Sequence, residues 1–98
     1  MAYKIIITEN FENSAAKTSQ WLEKEWSLKS AIAFDEKLKS IITELSLNPT
    51  IGRLSNKKNI RSLRVTKHNR IYYKISKTQI TILELFESKQ NPKRNKYE

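Results

Sequence analysis

The sequence predicts an α+β fold, in which a helical hairpin packs on one face of a small antiparallel sheet in the order β-α-α-β-β-β. Three observations carry that expectation. Apolar residues between positions 11 and 45 recur at helical spacing. Those between 60 and 86 fall in short runs rich in Val, Ile, Tyr, Leu and Phe, as strands do. One break, Asn48-Pro49-Thr50-Ile51-Gly52, separates the two patterns. At 98 residues, 38% hydrophobic and 30% charged, residues 1–98 read as a single domain with one modest core.

The elements follow in order. Residues 3–8 are Ile-rich and alternate weakly, as a short buried strand would. Asn10 is placed to cap a helix whose stripe is Phe11, Ala15, Thr18, Leu22 and Trp26. Ser27 or Ser30 can cap a second helix, in which Ala31, Phe34, Leu38, Ile41, Ile42 and Leu45 form one apolar face opposite Asp35, Glu36, Lys39 and Glu44. The short connection makes the two helices an antiparallel hairpin, with Trp21 and Trp26 read as packing residues. Pro49 stops the second helix, and Gly52 is expected to supply a backbone conformation that other residues resist. Strands are predicted at 60–66, 70–76 and 79–86.

Strand side chains alternate strictly between faces, so parity assigns them. Leu63 and Val65, then Ile71, Tyr73 and Ile75, share the core face. This requires an odd loop, read as Lys67-His68-Asn69, with Arg64 opposite Tyr72 and Thr66 opposite Arg70. The other face then carries Arg64, Arg70, Tyr72 and Lys74. Arginine forks match phosphate, and a tyrosine ring can stack on an unpaired base, so this pattern suits RNA. The last strand resists assignment, with apolar residues on both sides, as in a central strand.

Charge sharpens this reading. Residues 1–52 hold six Lys/Arg against seven acids, whereas residues 53–98 hold thirteen against three. A surplus confined to one half points to a polyanionic or acidic partner. Residues 88–98 form a basic tail, which Pro92 keeps out of helix and ladder, so it is expected to run extended beside the sheet. The absence of cysteine excludes disulfides, thiolate zinc sites and cysteine nucleophiles, and His68 is the single histidine. No metal and no cofactor is implied. No apolar run approaches the ~20 residues of a membrane span, and the start is too short for a signal-peptide core. The expectation is a cytoplasmic protein without a membrane partner.

Three segments carry a family resemblance. They are the hairpin ending in Asn48-Pro49-Thr50-Ile51-Gly52, the stretch Arg64-Val65-Thr66-Lys67-His68-Asn69-Arg70-Ile71-Tyr72-Tyr73-Lys74-Ile75, and Leu83-Glu84-Leu85-Phe86 followed by Lys89-Gln90-Asn91-Pro92. Over nearly the whole chain these resemble the RelE/ParE superfamily of toxins from type II toxin–antitoxin modules. The resemblance implies an acidic cognate antitoxin and one of two targets. RelE-like toxins cleave mRNA in the ribosomal A site without a metal, making the ribosome and mRNA the partners. ParE-like toxins share the fold, lack RNase activity and poison DNA gyrase. A third alternative is a degenerate module that retains only antitoxin affinity.

In the RNase branch the chemistry needs a base, an acid and cations around the charged phosphorane. The resemblance places catalytic roles on Arg70, on Lys89 beside Gln90 (where the family has an arginine) and on Tyr97. Together with the sheet face and the basic tail, nucleic-acid contacts are expected of Arg61, Arg64, Lys67, Tyr72, Lys74, Lys93 and Arg94.

Overall fold

A computed structural model describes residues 2–87 and Tyr97. Strand β1 (Lys4–Ile7) leads into helices α1 (Glu9–Glu25) and α2 (Leu28–Leu47), a 3₁₀ turn at Pro49–Ile51, and strands β2 (Arg53–Leu54), β3 (Ile60–Thr66), β4 (Asn69–Ser76) and β5 (Gln79–Glu87). The sheet order is β1-β5-β4-β3-β2. It is antiparallel from β5 to β2, but β1 pairs parallel with β5, from Lys4 opposite Gln79 to Ile7 opposite Ile82. The expected all-antiparallel sheet is therefore mixed at one edge. A chain that leaves β1 through two helices returns by the β3–β4–β5 meander, which brings β5 alongside β1 in the same direction.

Thr8, rather than Asn10, caps α1. Its hydroxyl accepts from the Phe11 N–H and donates to the carbonyls of Ile82 and Leu83, so one side chain starts the helix and ties it to β5. Ser27 caps α2 by accepting from the Ser30 N–H at 3.0 Å. The helix stops at Asn48, since the residue before a proline is pushed out of helical conformation. Phe11, Phe34, Leu38 and Leu45 pack against Val65, Ile71, Tyr73, Ile80, Ile82 and Leu85. This is the core, and it lies on one face of the sheet as expected.

The tryptophans depart from the expected packing role: Trp21 is 47% exposed and Trp26 72%. Trp26 is the C-cap residue, where the backbone has already left the helical path, and Trp21 lies one position off the Leu22 stripe. Gly52 also has a different role from the one expected. Its φ of −78° is accessible to any residue, but a methyl group there would lie 2.5 Å from the Tyr73 hydroxyl and 2.7 Å from the Ser62 carbonyl. Close approach, not backbone freedom, requires the glycine.

Candidate nucleic-acid interface

Two β-bulges set the face of the sheet away from the helices. In the β3–β4 hairpin, Leu63 lies opposite Ile71 and Arg64 opposite Arg70, but Thr66 opposite Asn69. The connection is the two-residue turn Lys67–His68, and Val65 is the extra residue of a bulge. The expected three-residue loop is corrected accordingly. Inserting one residue in a strand changes parity as an odd loop would, so the core assignment survives while the partners move by two. Arg64 faces Arg70 rather than Tyr72, and Ser62 takes the place opposite Tyr72.

The second bulge falls in β5. Tyr72 pairs with Glu84 and Tyr73 with Ile82, leaving Leu83 extra. Ile80, Ile82 and Leu85 therefore all reach the core, while Glu84 and Phe86 turn to the opposite face. This frame shift explains why strict alternation could not read the strand. It also delivers a carboxylate to the basic face.

That face is ordered in rows across the strands. One row runs Arg53, Ser62, Tyr72, Glu84, and the next runs Arg64, Arg70, Phe86. Lys74, exposed, lies between Ile60 and Thr81. Arg64 is exposed, and Arg70 is half-buried, with Nε and Nη2 donating to the buried Ser62 Oγ at 3.2 and 3.1 Å. Two arginines directly opposite one another concentrate positive charge at this point of the sheet face. The structure thus brings together Arg64, Arg70, Tyr72 and Lys74.

Tyr72 is only 1% exposed, because it is covered by another tyrosine. The Tyr97 ring stacks on it, centroids 5.0 Å apart and planes at 20°, and Phe86 meets it edge-on at 6.2 Å. The Tyr97 hydroxyl donates to Glu84 Oε1 at 2.8 Å. Burial, reinforced by the Glu84 carboxylate, pushes the Tyr97 phenol well above its usual range, so it holds its proton at neutral pH. A protonated phenol is an acid and a hydrogen-bond donor, not a base.

The other site residues fall elsewhere. Arg61 turns to the helix side, opposite Tyr73, where Nη1 donates to the Gly52 carbonyl at 2.8 Å. It is thereby separated from the basic face, and from the other residues expected to contact nucleic acid there. Lys67 is exposed in the β3–β4 turn. His68, its neighbour, lines a groove of about 930 Å³ on the helix side with Trp21, Leu22, Asn69 and Leu85. Lys89, Lys93 and Arg94 lie outside the described residues, as does the expected extended path of the tail. Sequence reasoning missed Arg53 and Glu84. Glu84 carried a signal, as one of three acids in the basic half and the single charge within an apolar run; Arg53 lies in a strand too short to leave a pattern.

Among the described residues no helix is long and apolar enough to cross a membrane. A sequence model of the ParE toxin of the type II toxin–antitoxin system parDE matches residues 5–92. No curated protein matches the sequence at a significant level. Among solved structures, the chromosomal ParDE toxin–antitoxin system from P. aeruginosa is similar with a TM-score of 0.77 at 13% identity, covering 88% of this chain and 96% of that one. The RelBE2 toxin–antitoxin complex from Mycobacterium tuberculosis gives a TM-score of 0.62 at 17% identity, with coverages of 89% and 99%. The E. coli DinJ-YafQ toxin–antitoxin complex gives 0.62 at 16%, with coverages of 89% and 93%.

Proposed function

This chain belongs to the ParE toxin family of type II toxin–antitoxin systems, and from its basic sheet face, rather than from that membership, we propose that it arrests growth by ribosome-dependent cleavage of mRNA, with the Arg64–Arg70 face as its RNA contact. The observation that carries this reading is the like-charged pair. Arg64 and Arg70 are directly opposed, with Lys74 further along β4 on the same face and Arg53 in the neighbouring row. Guanidinium forks match the oxygens of a phosphodiester in bidentate geometry.

In the proposed reaction the RNA 2′-oxygen attacks the adjacent phosphorus, the P–O5′ bond breaks, and the 5′-oxygen takes up a proton. Arg70 stabilises the extra charge on the phosphorane. Lys89 is assigned the removal of the 2′-hydroxyl proton, and Tyr97, which holds its proton, supplies one to the leaving oxygen. An acidic antitoxin, partly disordered when free, neutralises the same face. Apolar anchors then make its affinity only partly sensitive to salt. The assembly of the solved relatives as toxin–antitoxin complexes supports a partner of this kind.

The likeness to the ParDE system favours a second reading, a DNA gyrase poison without nuclease activity. Expression without a partner tests both. The mRNA reading expects rapid translation arrest with discrete new mRNA 5′ ends. An SOS response with intact mRNA would overturn it in favour of gyrase. No growth defect would leave only an antitoxin-binding module.

A further inference from the structure

We infer that the face of Tyr72 is a nucleobase site, filled in the free protein by the chain's own Tyr97, and that the base it takes is guanine. The inference rests on the nucleic-acid reading of this face, but not on cleavage. Tyr97 lies ten residues beyond the end of β5, yet its ring is seated on Tyr72 and its hydroxyl on Glu84. What occupies the site is therefore a flat ring that stacks at one point and donates a hydrogen bond at a second. Phe86 walls one side of the shelf, and Ile60 and Leu83 pack around it.

Phosphate chemistry surrounds this aromatic shelf. Arg70 and Lys74 flank Tyr72 along β4 on the same face, and Arg53 belongs to its row. A protein partner's aromatic side chain would meet only the shelf, whereas a nucleotide sets its base on the shelf and its phosphate toward Lys74, exposed on the same face. Base–aromatic stacking beside a cationic backbone track is the usual means of holding unpaired nucleic acid.

Glu84 selects among the bases. An ionised carboxylate only accepts hydrogen bonds. Guanine offers it two adjacent donors, N1–H and the N2 amino group, which a carboxylate can take together. Adenine and cytosine place a ring-nitrogen acceptor beside their amino group, and uracil flanks its N–H with two carbonyls. Each of these sets a lone pair against the carboxylate, and a site built to accept from two donors rejects a ligand that supplies one. A guanine arriving on Tyr72 releases Tyr97 from Glu84. Tyr97 is thus an internal competitor, and apparent affinity is reduced in proportion to the fraction of time the shelf is free of it.

The test is titration of the full chain with GMP, AMP, CMP and UMP, followed by NMR of ring-labelled tyrosine. The expected result is displacement of the Tyr97 resonances by GMP, with affinity at least about tenfold above that for the other nucleotides. Glu84→Gln abolishes the preference, while Tyr97→Phe, which keeps the ring and loses the bond to Glu84, tightens GMP binding several-fold without changing it. Equal binding of the four nucleotides, a preference that survives Glu84→Gln, or weaker binding in Tyr97→Phe overturns the inference. So does displacement of Tyr97 by a protein partner and by no nucleotide. Mapping mRNA ends separates this from the cleavage reading. Guanine binding without mRNA cuts keeps the site and removes the RNase, and cuts without guanine preference do the reverse.

Discussion

Tyr73→Phe isolates the link between the helical hairpin and the sheet. Tyr73 is fully buried, and its hydroxyl donates to the Pro49 carbonyl at 2.7 Å while accepting from the Gly52 N–H at 2.9 Å. Both partners belong to the turn that follows α2, and Arg61 holds the same turn through the Gly52 carbonyl. Phenylalanine keeps the ring in the core, so the change removes only these two bonds. The Gly52 N–H is left buried and unpaired, and the half-buried Pro49 carbonyl loses its partner. An orphaned buried group costs about 1–3 kcal/mol, which places the total at roughly 2–4 kcal/mol. In a domain of this size that corresponds to a fall in Tm of roughly 10–25 °C. Thermal unfolding followed by circular dichroism measures it, with hydrogen exchange at the Gly52 amide as a local probe. A shift of less than about 3 °C, or a Gly52 amide that stays protected, would refute the anchoring argument.

Gly52→Ala forces a methyl group against Tyr73 and Ser62 and should cost about 1–3 kcal/mol or more in urea unfolding, although its φ is unremarkable. Trp26→Ala should change stability by less than about 0.5 kcal/mol, because the side chain is 72% exposed. Tyr97, whose phenol is raised by burial and by Glu84, should contribute no tyrosinate absorbance at about pH 10, so Tyr97→Phe and the native protein should titrate alike there. Because the folded-state value is raised, docking of Tyr97 adds stability that is intact at neutral pH and is lost as pH rises above the ordinary phenol range.

The helices and the core face of the sheet were legible because the burial of Phe34, Leu38, Leu45, Ile71 and Tyr73 follows from periodicity alone. What alternation could not show was the bulges. Val65 flips the parity that an odd loop had been invoked to supply, and Leu83 shifts the frame midway along β5. The partner of each arginine, and the arrival of Glu84 on the basic face, therefore depended on backbone irregularities that leave no mark in a hydrophobic pattern. Tyr72 could be placed on the correct face, but its coverage could not be foreseen, because Tyr97 reaches it from a distant part of the chain. The side taken by Arg61 was legible from parity, although it was named only as a nucleic-acid contact. It shares odd parity with Leu63 and Val65, so its guanidinium belongs on the helix side, at the Gly52 carbonyl.

The most direct test of the proposed function is Arg70→Ala, expressed without a partner, with growth and mRNA 5′ ends followed together. Losing Arg70 leaves the buried Ser62 hydroxyl without these bonds, so folding of the variant is checked by circular dichroism alongside. Cleavage should fall by about 10²–10³ as the cation at the phosphorane is removed, and growth should recover. A folded Arg70→Ala protein that arrests growth and cuts mRNA as the native chain does would contradict the assignment of this face.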